Sequence, residues 1–177
     1  MSGAAKEVTQ LVKKHKIGLF LKNGENFSRI AKSTTLTLSM NPNEEEFDYI
    51  ADESATTEVT EYKPTIDQDL VMYKGSEDYE MLWPYFYEMK TGSDAHTDCM
   101  IVFMQEAVDA EGANIPLSDT TTPVAGYRAW LTDSVISMQD LTATDKKLDF
   151  KVIFGGGVKK GVASMQDGKP TFTEAGS

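Results

Sequence analysis

From Thr34 to Met40 apolar and hydroxyl-bearing side chains alternate: Leu36, Leu38 and Met40 on one side, Thr35, Thr37 and Ser39 on the other. A period of two is the signature of a half-buried β-strand, and it recurs along most of the chain. Thr56 to Tyr62 alternates, and Ile66 to Tyr73 sets Ile66, Gln68, Leu70 and Met72 against Asp67, Asp69, Val71 and Tyr73. Leu148, Phe150, Val152 and Phe154 oppose Asp149, Lys151 and Ile153. Cys99 to Gln105 is a nearly continuous apolar run, as expected of a strand buried on both faces. Tyr127 to Met138 reads as another strand, and Asp167-Gly168 predicts a tight hairpin turn near the C-terminus.

The period changes once. Tyr79, Leu82, Trp83, Phe86 and Tyr87 fall at helical spacing within a helix predicted over Ser76–Thr91. Ser76 is the expected N-cap, with Lys90 and Gly92 marking the end. Pro84 predicts either a bend or a helix that begins beside it. Met81, Trp83, Phe86 and Met89 are read as core, with some aromatic surface left over for an interface. The whole is a mainly β fold of the α+β type, a β-sandwich or barrel with one flanking helix. Its organisation is read as a flexible basic arm over 1–16 and a single domain over 17–177. An extended acidic loop over 41–64 interrupts that domain.

Charge bounds the function. The formal net charge of −11 over 177 residues argues against a dedicated nucleic-acid binder and against attraction to anionic membranes. Residues 1–16 are polar and lysine-rich, unlike a secretory leader, and no run is long enough for a transmembrane helix, so no membrane anchor is expected. The single cysteine, Cys99, allows no internal disulfide.

The charge is also split. Residues 1–32 carry Lys6, Lys13, Lys14, Lys16, Lys22, Arg29 and Lys32 against Glu7 and Glu25. Residues 33–62 carry Glu44, Glu45, Glu46, Asp48, Asp52, Glu53, Glu58 and Glu61 and no base. Three readings of the acidic stretch stand side by side: a cation site, a solvated loop, and a surface for assembly. Against the first, the three consecutive glutamates lack the alternating ligand spacing of a calcium loop.

Catalytic signals are thin, and no catalytic residue, cofactor or metal is assigned. The histidines, His15 and His96, lie in no recognisable motif, and a His96–Cys99 pair conflicts with the apolar strand that Cys99 opens. FGGGVKKGVA lacks the Gly-Lys-Ser/Thr opening of a phosphate-binding helix and reads as a flexible turn.

The order of strand Thr34–Met40, long excursion, strand Ile66–Tyr73, helix, strand Cys99–Gln105, loop and paired strands to Phe154 resembles the bacteriophage tail tube proteins, also called major tail proteins. The resemblance implies a non-enzymatic structural subunit. Six copies form a ring, and rings stack into a hollow tube that conducts the genome. The implied partners are further copies, tape measure, tail terminator and distal tail or baseplate proteins. Double-stranded DNA would pass without binding. The implied location is the virion, after synthesis in the host cytoplasm. The excursion 41–64 would reach a neighbouring ring through Glu44, Glu45, Glu46, Asp48, Asp52 and Glu53. Lys13, Lys14 and Lys16 would be its basic partner. Glu58, Glu61, Asp67 and Asp69, with Gln68 between the last two, are candidates to face the lumen. The tube of a related contractile injection or secretion system, and a monomeric ligand-binding β-sandwich, are the alternative readings.

Overall fold

The structure, a computed structural model, describes residues 9–51 and 53–175. The fold is mainly β with one flanking helix. Its elements are β1 (Ile17–Asn23), β2 (Asn26–Arg29), β3 (Ser33–Ser39), β4 (Pro42–Phe47), β5 (Thr56–Tyr62), β6 (Thr65–Val71) and α1 (Glu77–Tyr87). They are followed by β7 (His96–Val108), β8 (Gly126–Thr142), β9 (Lys147–Phe154), β10 (Lys159–Gln166) and β11 (Lys169–Glu174). The chain forms two compact units: one takes the chain up to Ile30, Asp98–Thr132 and the part from Val158 on, the other Ala31–Thr97 and Asp133–Gly157.

In the first unit the strand order is β2-β1-β7-β8-β10-β11, and β11 returns alongside β2, so the sheet curls round its own core. Phe20, Met100, Val102, Ala129 and Ala163 form that core, with Phe27, Tyr127 and Phe172 packed against it. Burial of a large apolar side chain such as Phe20 contributes about 1.5–3 kcal/mol. Two tight hairpins shape this unit. Gly24-Glu25 joins β1 to β2, with Gly24 at φ 66°, and Asp167-Gly168 joins β10 to β11, with φ 53° and 76°. Gly161 is needed for close approach: a Cβ there would lie 2.2 Å from the Thr173 carbonyl oxygen. The loop after β7 contains no strand. Asp109 and Asp119 organise it by accepting backbone N–H bonds from Glu111, Ala113, Thr121 and Thr122. The Thr122 hydroxyl and amide bonds hold the Asp119 carboxyl down at about 2.

In the second unit β3-β6-β9 and the end of β8 pair antiparallel. Ile66, Leu70, Leu148, Phe150, Val152 and Ile136 are buried, as their alternation requires. Gln68 lies between Ile66 and Leu70 on that apolar face and is 2% exposed, which removes it from any surface role. The uncharged strand β3 is the outermost of these strands; Leu38 and Met40 are half-buried as their alternation predicts, while Leu36 is 39% exposed.

Helix α1 departs from expectation in three ways. It runs through Pro84 rather than starting there; so near the C-terminus, the missing N–H costs a single intrahelical bond. Ser76 does not cap the backbone, because its hydroxyl donates to Asp78 Oδ1. Buried Asp78 turns its other oxygen to the Ala31 and Lys32 amides at 3.0 and 2.9 Å, tying the helix start to the approach of β3. Finally, Leu82 is its only fully buried apolar residue, while Met81, Trp83 and Phe86 are half-buried and Met89 is exposed.

Candidate assembly surface

The acidic excursion is built as a two-stranded antiparallel hairpin, β4 with β5, separate from the main strand pairing. Asn41 makes the bend out of β3. Its left-handed backbone, φ 46°, redirects the chain, and its side-chain amide donates to the Lys63 carbonyl at 3.1 Å and to Thr65 Oγ1 at 3.2 Å. Asn is among the few residues other than glycine that tolerate this conformation. The Lys63 amide closes the base on Met40 O at 3.2 Å.

No residue of β4 or β5 is buried, and all but the half-buried Phe47 are exposed. The pairing sets Glu45 directly opposite Glu58, and Glu44 opposite Val59. Like charges facing each other across strands oppose pairing. Among the described residues, Glu61 alone of these acids has an ion pair, to Lys63 at 3.3 Å. Apolar side chains are also held out: Tyr49, Ile50, Val59 and Tyr62 are exposed, with Tyr49 stacked on Phe47 at 5.8 Å. An isolated two-stranded hairpin is at best marginally stable in water. This one combines like-charge repulsion with uncovered apolar groups, the composition of a contact surface.

Each residue assigned from the sequence has a definite place. Glu44, Glu45 and Glu46 lie on β4, Asp48 and Glu53 in the connection to β5, and Glu58 and Glu61 on β5. Asp52 lies outside the described residues. Strand alternation puts Glu45 on the face opposite Glu44 and Glu46, so the three cannot converge on one ion. Among the described residues no three His, Cys, Asp or Glu side chains are grouped as metal ligands. Lys13, Lys14 and Lys16 are exposed on the segment before β1.

Asp67 and Asp69 lie elsewhere, on β6, with a lysine of β9 directly across from Asp67 and another diagonal to Asp69. Lys151 is 3.7 Å from Asp67, and Lys147 is 3.9 Å from Asp69. Register also aligns Asp69, Asp149 and Asp140 side by side on β6, β9 and β8. Burial and then the neighbouring Asp69 carboxyl raise the Asp149 carboxyl above its ordinary value, with Asp140 adding to the effect and Lys147 opposing it. The face bearing Asp67, Asp69, Asp140, Asp149, Lys147 and Lys151 therefore keeps two more carboxyl groups than ammonium groups. Alternation in β6 made Asp67 and Asp69 legible as a pair. Asp140 and the cross-strand lysines required the register.

The remaining chemical candidates are accounted for locally. Cys99 is fully buried, and desolvation pushes its thiol far up, away from the reactive thiolate. His96 Nδ1 lies 3.0 Å from Asp133 Oδ2. The glycine run after Phe154 leads into β10 rather than a helix.

No protein-family model matches the chain, and no curated protein matches it. Among solved structures, the chain is similar to one in the six-fold symmetrised cryo-electron microscopy structure of the anti-feeding prophage (AFP) baseplate. The match has 10% sequence identity and a TM-score of 0.42, and covers 86% of this chain and 97% of that chain.

Proposed function

We propose that this chain is the structural subunit of a phage tail tube, assembling into rings that stack into a hollow, genome-conducting tube. The observation that carries the reading is the hairpin β4–β5, ordered with no buried residue and with apolar groups held into solvent. Such an element is stabilised by a neighbouring copy. A contact between two different surfaces of identical chains propagates into rings and filaments. The acidic balance fits a conduit for DNA, since a basic lining would capture phosphates by counterion release. The face of Asp67 and Asp69, with its surplus of carboxyl groups, is the proposed lumen lining, and Glu58 and Glu61 belong to the contact hairpin instead. Tape measure, terminator and distal tail proteins would meet the tube's contents and ends, and the finished product would reside in the virion.

Hydrogen exchange across a concentration series tests the hairpin's part. Amides over 42–62 are expected to exchange rapidly in dilute protein and become protected as assemblies form. Equal exchange at all concentrations, with assemblies present, overturns the assignment of the hairpin as the contact.

A further inference from the structure

Helix α1 ends on a residue where glycine would fit without strain. The Met89 amide donates to Phe86 O at 3.2 Å and the Lys90 amide to Tyr85 O at 3.3 Å, the paired closure of a Schellman motif. The left-handed position of that motif is held by Met89 at φ 48°, a conformation that disfavours any side chain. The side chain is not spent on the core: Met89 is 79% exposed, and Tyr87 beside it 72%. Both border an open groove of about 710 Å³, floored by Phe86, Ile136, Met138 and Ile153. At Met89, Lys90 and Thr91 the groove meets a smaller polar cleft that carries Glu88 and Asp94. Along one path the surface is apolar, then acidic.

The segment before β1 has the matching order. Leu11 is 86% exposed, Val12 is exposed, and Lys13 and Lys14 follow at once, with no acid between residues 9 and 16. Among the described residues these lysines have no ion pair. We propose that the groove at the end of α1 receives Leu11 and Val12 of a second copy, with Lys13 and Lys14 set beside Glu88 and Asp94. Lys90 lies over the Tyr85 ring at 4.7 Å and pairs with Glu88 at 3.7 Å, so Glu88 would be shared with the incoming lysines and Asp94 is the carboxylate without an ion pair among the described residues. The inference rests on the reading of the chain as a self-assembling subunit and gives the basic segment a partner other than the hairpin acids. Because arm and groove are different surfaces, the contact is heterologous and repeats from copy to copy.

Disulfide capture with full-length chains tests it. Leu11→Cys in one chain and Met138→Cys in another are mixed under mild oxidation; the native Cys99 is fully buried and stays silent. The expected result is a Leu11–Met138 linked pair, about tenfold above a control of Leu11→Cys with the exposed Thr171→Cys, as set by the higher effective concentration at a docked site. Adding Glu88→Lys and Asp94→Lys should abolish the excess. Assemblies without the link overturn this contact and leave the tube reading standing. Chains that stay monomeric at every concentration overturn both. A link formed within one chain of the double variant in dilute solution overturns the assignment to a second copy.

Discussion

Two residues separate what serves the folded subunit from what serves its surroundings. Asp149 sits between Asp69 and Asp140, with Lys147 as the nearest compensating charge. Its carboxyl is raised in the fold, so its contribution to stability is fully present below the unfolded value near 3.8 and is lost as pH rises through the raised value. Asp149→Asn is therefore expected to stabilise at pH 7, by up to about 1 kcal/mol on the scale of a cross-strand pair. The advantage should fade as pH falls toward 4. Urea unfolding at both pH values checks this, and a stability loss at pH 7 would contradict it. Met89 gives the complementary case. Met89→Gly relieves a left-handed side chain but loosens the unfolded state, leaving a net gain of about 1 kcal/mol in the isolated subunit. Thermal or chemical unfolding of dilute protein measures it; an unchanged or lowered stability would mean that the Met89 side chain holds its own fold.

At the scale of elements, the sequence was legible wherever alternation met a buried face. Ile66, Leu70, Phe150 and Val152 announced β6 and β9, and Asp167-Gly168 announced the β10–β11 turn. The β1–β2 turn, Gly24-Glu25, has only a leading glycine and no Asp-Gly or Asn-Gly pair at its two central positions, so its signal is weaker. Strand β4 was illegible as a strand because Glu44, Glu45 and Glu46 give both faces one polarity, leaving no period to detect. Strand β3 alternates as read and Leu38 is half-buried, yet Leu36 on the same face stays 39% exposed, since periodicity reports which side chains share a face and not how fully that face is covered. Ser76 makes no cap bond; its hydroxyl donates to Oδ1 of Asp78 two residues on, whose Oδ2 accepts the Ala31 and Lys32 amides. The candidate surface follows the same division. Its acids could be listed from the sequence, whereas their separation onto a free hairpin and a lysine-bearing sheet face depended on register.

For the whole molecule, the proposed assembly rests on the surfaces left uncovered. An uncovered acidic hairpin, an uncharged edge strand, an apolar groove beside a left-handed Met89 and an exposed Leu11–Val12 pair occur together in a 19.6 kDa chain with net charge −11. In the proposed assembly, negative charge would keep free subunits apart in solution and heterologous contacts would give association a direction. The most direct test is electron microscopy of the purified chain over a concentration series. The account predicts rings and hollow tubes of uniform diameter, built from this chain alone. A field of separate 19.6 kDa particles at every concentration would contradict it.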